Sequence, residues 1–223
     1  MIKSTKMNWK LKKHRLAFED EDDIEQSTMT GYPMFINAQE SPTPSCGIRA
    51  VENKLFFYGE IDEQSCLELN RVLVELDVKL QNLRNTLGDE YKPVIHLHIN
   101  TPGGEIYAAF STVDTILNLK SDVYTYADGL VASAGTLISA VGDRRYCGKH
   151  AHMLIHQLSS AIYGTFAELQ AGMDSATMLM KLLKDFYKKN TKIPMKRLDE
   201  LMTKDIYLTA DECLNYGIVD EIK

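Results

Sequence analysis

Disulfide staples, a membrane-spanning run and an excess of basic charge are all missing from this sequence of 223 residues. The four cysteines, Cys46, Cys66, Cys147 and Cys213, are scattered with no C-x-x-C pair, and a chain this long buries enough apolar surface to do without disulfides. That usage suits a reducing cytosol, so a cytoplasmic protein is expected. No segment approaches the ~20 consecutive apolar residues that a membrane-spanning helix needs. The basic start, with Lys3, Lys6, Lys10, Lys12 and Lys13, is not followed by the apolar stretch of a secretory leader. Neither a membrane anchor nor a leader is expected. Basic residues are outnumbered, 25 Lys and Arg against 31 Asp and Glu, which argues against nucleic acid as the main partner. No internal repeat and no low-complexity tract appears.

What is present divides the chain in two. Residues 1–52 combine the basic start, an acidic run from Glu19 to Glu25, and Pro33, Pro42 and Pro44. Such a segment buries little apolar surface and reads as an N-terminal extension, either a tolerated tail or an arm that docks a partner or blocks a pore. Residues 53–223 read as one folded domain. Residues 55–58 and 94–99 have strand composition, the second ending in Asn100-Thr101-Pro102-Gly103-Gly104. Helical spacing follows over 66–87 and 106–119, then a strand over 123–126, a short apolar helix over 134–141, and short strands over 145–147 and 153–155. This alternation predicts an α/β fold with crossover connections.

The longest helical signal comes after Tyr163. Phe166, Leu169, Met173, Ala176, Met180, Leu183 and Tyr187 recur at threes and fours, a stripe that needs either the core of its own subunit or a neighbouring one to cover it. A final helix opens on the capping-box pattern Thr209-Ala210-Asp211-Glu212, and Gly217 suits its C-terminal end.

Four places could carry chemistry. The Pro102-Gly103-Gly104 turn exposes backbone amides and lets another group approach closely, although the same triplet also makes ordinary turns. Ser133 stands alone among the small residues of Gly129-Leu130-Val131-Ala132-Ser133-Ala134-Gly135, where a strand gives way to a helix. It is either a plain N-cap or a hydroxyl at a sharp turn, with the Ala134 amide able to stabilise negative charge. His156 closes the apolar run Met153-Leu154-Ile155 and could take a hydroxyl proton; a structural histidine is the simpler alternative. Asp205, before Ile206-Tyr207-Leu208, has no local signal of its own. His96 and His98 share a strand face, but no third metal ligand appears nearby.

Taken together, Ile99 to Gly104, Ala132-Ser133-Ala134-Gly135, Met153 to Gln157, and Asp205 to Ala210 with Tyr216-Gly217-Ile218-Val219-Asp220 resemble the ClpP family in order and spacing. These are the proteolytic subunits of ATP-dependent Clp proteases, and the likeness covers roughly residues 54–222. It implies an α/β, ClpP/crotonase-like spiral of βαβ units with a protruding handle helix. It further implies a serine endopeptidase with Ser133, His156 and Asp205 as triad, the amides of Gly104 and Ala134 as oxyanion hole, and no metal or organic cofactor. Self-association into heptameric rings, stacked in pairs through the helix after Tyr163, would follow. So would feeding of unfolded polypeptide by an AAA+ unfoldase of ClpX, ClpA or ClpC type.

Departures from the family pattern bear on regulation. Lys204 stands where an arginine commonly pairs across the rings, and a lysine lacks the bidentate fork. His96, His98 and Asn118 match positions where aromatic residues line the ATPase-loop pocket. The segment 76–92 is long for the family, and 158–163 lacks the usual proline and glycines. These features suit a divergent viral or accessory member, one that forms mixed rings with another ClpP or matures a phage capsid. Two further readings remain. A crotonase-type acyl-CoA enzyme would share the core but has no need of Ser133 and His156 together. A non-catalytic ring subunit would keep the fold alone.

Overall fold

The computed structural model describes residues 47–223; the expected extension over 1–52 lies outside the described residues up to position 46. Position 48 already belongs to a strand. Ile48–Val51 (β1) pairs antiparallel with Lys54–Tyr58 (β2), and the tight turn between them places Glu52 at φ 57°.

From β2 the chain runs through α1 (Glu63–Leu87), β3 (Val94–Thr101), α2 (Ile106–Asn118), β4 (Asp122–Ala132), α3 (Ala134–Ala140) and β5 (Arg144–Cys147). β2, β3, β4 and β5 lie parallel in that order. This is a run of βαβ units, the α/β spiral of the ClpP/crotonase kind. β6 (His152–Leu154) adds to the far end of β4 in parallel, and β7 (Tyr207–Thr209) pairs antiparallel with β6. The long helix α4 (Phe166–Asn190) and the short α5 (Met195–Leu201) lie between them. α6 (Ala210–Asn215) and β8 (Glu221–Ile222) close the chain, β8 pairing with β5.

The core follows from periodicity. In β3 every second residue, Ile95, Leu97, Ile99 and Thr101, is fully buried, as alternation across a pleat requires. α1 turns Leu69, Leu73, Leu76 and Leu80 inward, and α2 contributes Ala109, Val113 and Ile116. α1 starts on a capping box, Asp62 accepting from Ser65 N at 2.6 Å while Ser65 Oγ accepts from Asp62 N at 3.0 Å. It absorbs most of the segment that looked long for the family, extending to Leu87. Cys66, Cys147 and Cys213 are buried free thiols.

The opposite face of the sheet is half-covered. There His96 Nδ1 lies 2.8 Å from Tyr126 Oη and His98 Nδ1 2.8 Å from Asp128 Oδ2. The His98 ring stacks between Phe56 and Tyr126, at centroid distances of 4.8 and 4.4 Å. Each histidine is thus engaged with side chains of its own sheet face. Among the described residues no group of three or more potential metal ligands occurs, and no helix is long and apolar enough to cross a membrane.

The stripe after Tyr163 splits in two. In the second half of α4, Leu179, Leu183 and Tyr187 are buried. In the first half, Phe166 is 84% exposed and Met173 60% exposed, with Leu169 also exposed. The helix therefore anchors at one end and protrudes, as a handle, at the other.

Candidate active site

Three neighbouring strands end at one edge of the sheet, and the candidate residues lie just past those ends. β4 finishes at Ala132, paired with Leu154 of β6, so Ser133 emerges beside β6. The Ser133 amide donates to Leu154 O at 2.7 Å. β6 pairs with β7 in the register His152 with Thr209, Met153 with Leu208 and Leu154 with Tyr207. Continued two residues further, that register sets His156 opposite Asp205. Accordingly His156 Nδ1 stands 3.5 Å from Asp205 Oδ1. The separation is within ion-pair reach but longer than a well-formed hydrogen bond, and the Asp205 side chain is 76% exposed.

Ser133 stands at the N-cap position of α3 but does not cap the helix. Its side chain makes no capping bond, and its backbone sits at φ 54°, ψ −125°, a left-handed conformation that costs a residue with a Cβ about 1–2 kcal/mol. A serine held this way between a strand and a helix presents its hydroxyl outward from a sharp elbow. Two contacts stabilise the elbow from behind. Thr136 N donates to Ser133 O at 3.0 Å and Thr136 Oγ1 to the same oxygen at 2.7 Å. With that proton committed, Thr136 Oγ1 accepts from the buried Tyr187 hydroxyl at 2.6 Å. Burial raises the Tyr187 phenol far above its ordinary value, so it remains a neutral donor.

The glycine turn at the end of β3 packs on this elbow. Gly103 has φ +100°, and a Cβ there would lie 2.6 Å from Ser133 Cβ. Gly104, at φ +147°, would drive a Cβ to 2.0 Å from Ile61 O. Only glycine fits either position. Gly104 forms a parallel bridge with Ile61, in which Ile61 N donates to Gly103 O at 2.9 Å and Glu105 N donates to Ile61 O at 2.8 Å. The Gly103 N–H donates to Thr101 Oγ1 at 3.0 Å and the Glu105 N–H to Ile61 O, which leaves the Gly104 N–H between them without an acceptor among the described residues. The Ala134 N–H, at the first position of α3, has no intrahelical acceptor by the nature of a helix start.

Ser133, Ala134, Gly104 and His156 all line one cleft of about 1130 Å³, walled by Leu137, Leu179 and Leu183 and by residues 157–160. Ser133 and His156 thus face the same space, although no hydrogen bond joins them among the described residues. Asp205 reaches the group only through His156. The cleft offers a hydroxyl at an elbow, an imidazole whose Nδ1 faces a carboxylate, and two free amides, which is the equipment of acyl transfer. The close approach expected at the Pro102-Gly103-Gly104 turn is found at Gly103, whereas Thr136 and Tyr187 carried no sequence signal for their place behind the elbow, Tyr187 being hidden in an apolar stripe.

Comparison with known proteins gives a consistent picture. The Clp protease family model matches residues 50–223. The chain is similar to ATP-dependent Clp protease proteolytic subunit 2 of Chlamydia pneumoniae, 34% identical over 138 residues, or 61% of this chain and 68% of that protein. Its counterpart in Chlamydia muridarum is 36% identical over 130 residues, 57% of this chain and 64% of that protein. The ATP-dependent Clp protease proteolytic subunit of Deinococcus radiodurans is 32% identical over 130 residues, again 57% and 64%. The chain spans about two thirds of the length of the curated relatives it matches.

Proposed function

The chain belongs to the Clp protease family as a serine-type proteolytic subunit, and from that premise we propose that Ser133, His156 and Asp205 are its catalytic triad, with the amides of Gly104 and Ala134 as the oxyanion hole. The observation that carries the assignment is the Ser133 elbow, strained at φ 54° and opening on a cleft that also holds His156 and both free amides.

In this reading Nδ1 of His156 faces Asp205, which leaves Nε2 to take the Ser133 proton as Oγ attacks a peptide carbonyl. The carbonyl oxygen acquires the negative charge and is stabilised by the Gly104 and Ala134 N–H groups, each such donor contributing on the order of 10²–10³ in turnover. The C–N bond breaks as His156 returns the proton to the leaving amine, and an acyl ester remains on Ser133. Water then attacks that ester, giving a proton to His156, and expulsion of Ser133 restores the site. Asp205 orients the ring and stabilises the imidazolium. The 3.5 Å gap to Asp205 closes as substrate or a neighbouring subunit orders the site, since such bonds tighten in the working complex.

Substrates are unfolded polypeptides or short peptides. The protruding half of α4 supports assembly into paired rings, with heptamers as the family pattern, and a partner AAA+ unfoldase of ClpX, ClpA or ClpC type or another ClpP subunit completes the system in the cytoplasm. The catalytic region begins with β1, since Ile48–Val51 pairs with β2, rather than at residue 53, and the residues before it are an extension to that region. The test is hydrolysis of a short fluorogenic peptide by the full chain, with and without an unfoldase, alongside light scattering. Cleavage that Ser133→Ala removes, in a particle larger than a monomer, is expected. A strictly monomeric chain inert under every condition contradicts the proposal.

A further inference from the structure

Residues 155–163, which carry His156 and lead from β6 towards α4, make no backbone-to-backbone hydrogen bond among the described residues. The chain just before the histidine is nevertheless fixed, because Leu154 O accepts from the Ser133 amide at 2.7 Å. Just after it, α4 does the holding. The Leu158 amide donates to Met180 Sδ at 3.2 Å, and Ile162 seats on Gly172, where a Cβ would lie 2.8 Å from Ile162 Cγ2.

These two anchors define a strap. The step from Leu158 to Ile162 is roughly 13 Å of extended chain, and the step from Met180 back to Gly172 is about 12 Å of helix. The lengths agree, so the segment is drawn out along α4 and runs antiparallel to it. Leu158 and Met180 are half-buried and packed against the core, and Met180 stands outside the residues that line the cleft. A thioether is a weak acceptor, but it is the acceptor that the Leu158 N–H meets, and a part-buried amide left without a partner is costly. Losing that bond frees the strap two residues from His156.

The same helix reaches the nucleophile. Tyr187, about two turns along α4 from Met180, donates to Thr136 Oγ1, which in turn donates to Ser133 O. Over this stretch α4 is sunk into the core at Leu179, Leu183 and Tyr187. The anchored half of the helix therefore stands behind both reacting residues, Met180 behind His156 and Tyr187 behind Ser133.

We infer that Met180 is a positioning residue for His156, its sulfur fixing the Leu158 amide and, through that amide, the placement of the imidazole towards Ser133. The inference rests on the reading of Ser133 and His156 as nucleophile and base, and adds to it a side chain that touches neither substrate nor the reacting atoms.

The experiment compares Met180→Leu, which conserves volume and removes the acceptor, with Met180→Gln, whose side-chain carbonyl supplies one at similar reach. The full, assembled chain is followed by thermal melting, by hydrolysis of a short fluorogenic peptide and by the rate of Ser133 modification with a fluorophosphonate. A misplaced reacting group costs on the order of 10²-fold for a 1 Å shift. Met180→Leu should therefore lower kcat and the modification rate about tenfold or more, with KM held within about twofold and melting little changed. Met180→Gln should recover most of both rates. A Met180→Leu protein that cleaves and reacts as fast as its parent overturns this inference alone. So does a Met180→Gln protein as slow as Met180→Leu, since packing rather than the hydrogen bond would then be the cause. A parent chain whose Ser133 takes no fluorophosphonate overturns the catalytic reading and this inference with it.

Discussion

Gly103→Ala tests the Ser133 elbow through a contact that no substrate touches. A Cβ at position 103 would stand 2.6 Å from Ser133 Cβ, 2.9 Å from Ala132 O and 3.3 Å from Ala134 N, on a backbone at φ +100°. Carbon atoms in contact settle about 3.5–4.0 Å apart, so the glycine turn and the elbow must separate by about 1 Å. The left-handed φ costs about 1–2 kcal/mol with a side chain present, and overpacking brings the expected loss to about 2–4 kcal/mol. A domain of this size should then melt about 5–15 °C lower while remaining folded, since natural stabilities are about 5–15 kcal/mol. The activity loss should be disproportionate. A displacement of about 1 Å at a reacting group costs on the order of 10²-fold, so both fluorophosphonate inactivation and peptide kcat/KM should fall by that factor. Thermal melting by circular dichroism and the inactivation rate decide the matter together. A variant that melts lower yet keeps its Ser133 reactivity within about twofold would refute the claim that the glycine turn positions the elbow.

Tyr187→Phe removes the hydroxyl that donates to Thr136, behind the Ser133 carbonyl; a stability loss of about 1–2 kcal/mol is expected from denaturant titration, with a lowered kcat and little change in KM. Arg145 binds Asp220 through Nε at 3.1 Å and Nη2 at 2.6 Å, and its guanidinium holds that carboxyl below the usual carboxylate range. A depressed carboxyl stabilises above its unfolded pKa and loses that contribution as pH falls through the folded value. Asp220→Asn should therefore cost about 0.5–1 kcal/mol at neutral pH, with the gap to the parent closing below about pH 4; a gap that stays constant to pH 3 contradicts the assignment. Phe166→Ser with Met173→Ser should leave the melting of the chain unchanged and lower the particle mass in light scattering, because both side chains stand exposed on the handle.

Much of this architecture is legible in the sequence because periodicity is a local property. The leucine spacing of α1, the alternation of β3 and the capping box at Thr209 each produce the element they suggest. Elements held mainly by pairing are harder to see. β1 and β8 are short edge strands with polar or mixed composition, and α5 follows Pro194 with only seven residues. β4 runs to Ala132, well past the apolar run that marked it, because Gly129 at φ 66° lets the strand bend and continue to the elbow. Asp205 shows the limit most clearly. Nothing around it distinguishes it from other aspartates, and its place beside His156 arises from the register of β6 on β7. The Tyr187, Thr136 and Ser133 chain is invisible for the same reason, since it joins residues from two helices far apart in sequence. Resemblance in order and spacing supplied what local composition could not.

The central claim is that Ser133 is an activated nucleophile. Intact mass analysis of the full, assembled chain after treatment with a fluorophosphonate tests it most directly. One adduct per chain is predicted, mapping to Ser133, absent in Ser133→Ala and slowed in His156→Ala. A folded, assembled protein that takes no adduct, or takes it on a different serine, would contradict the account.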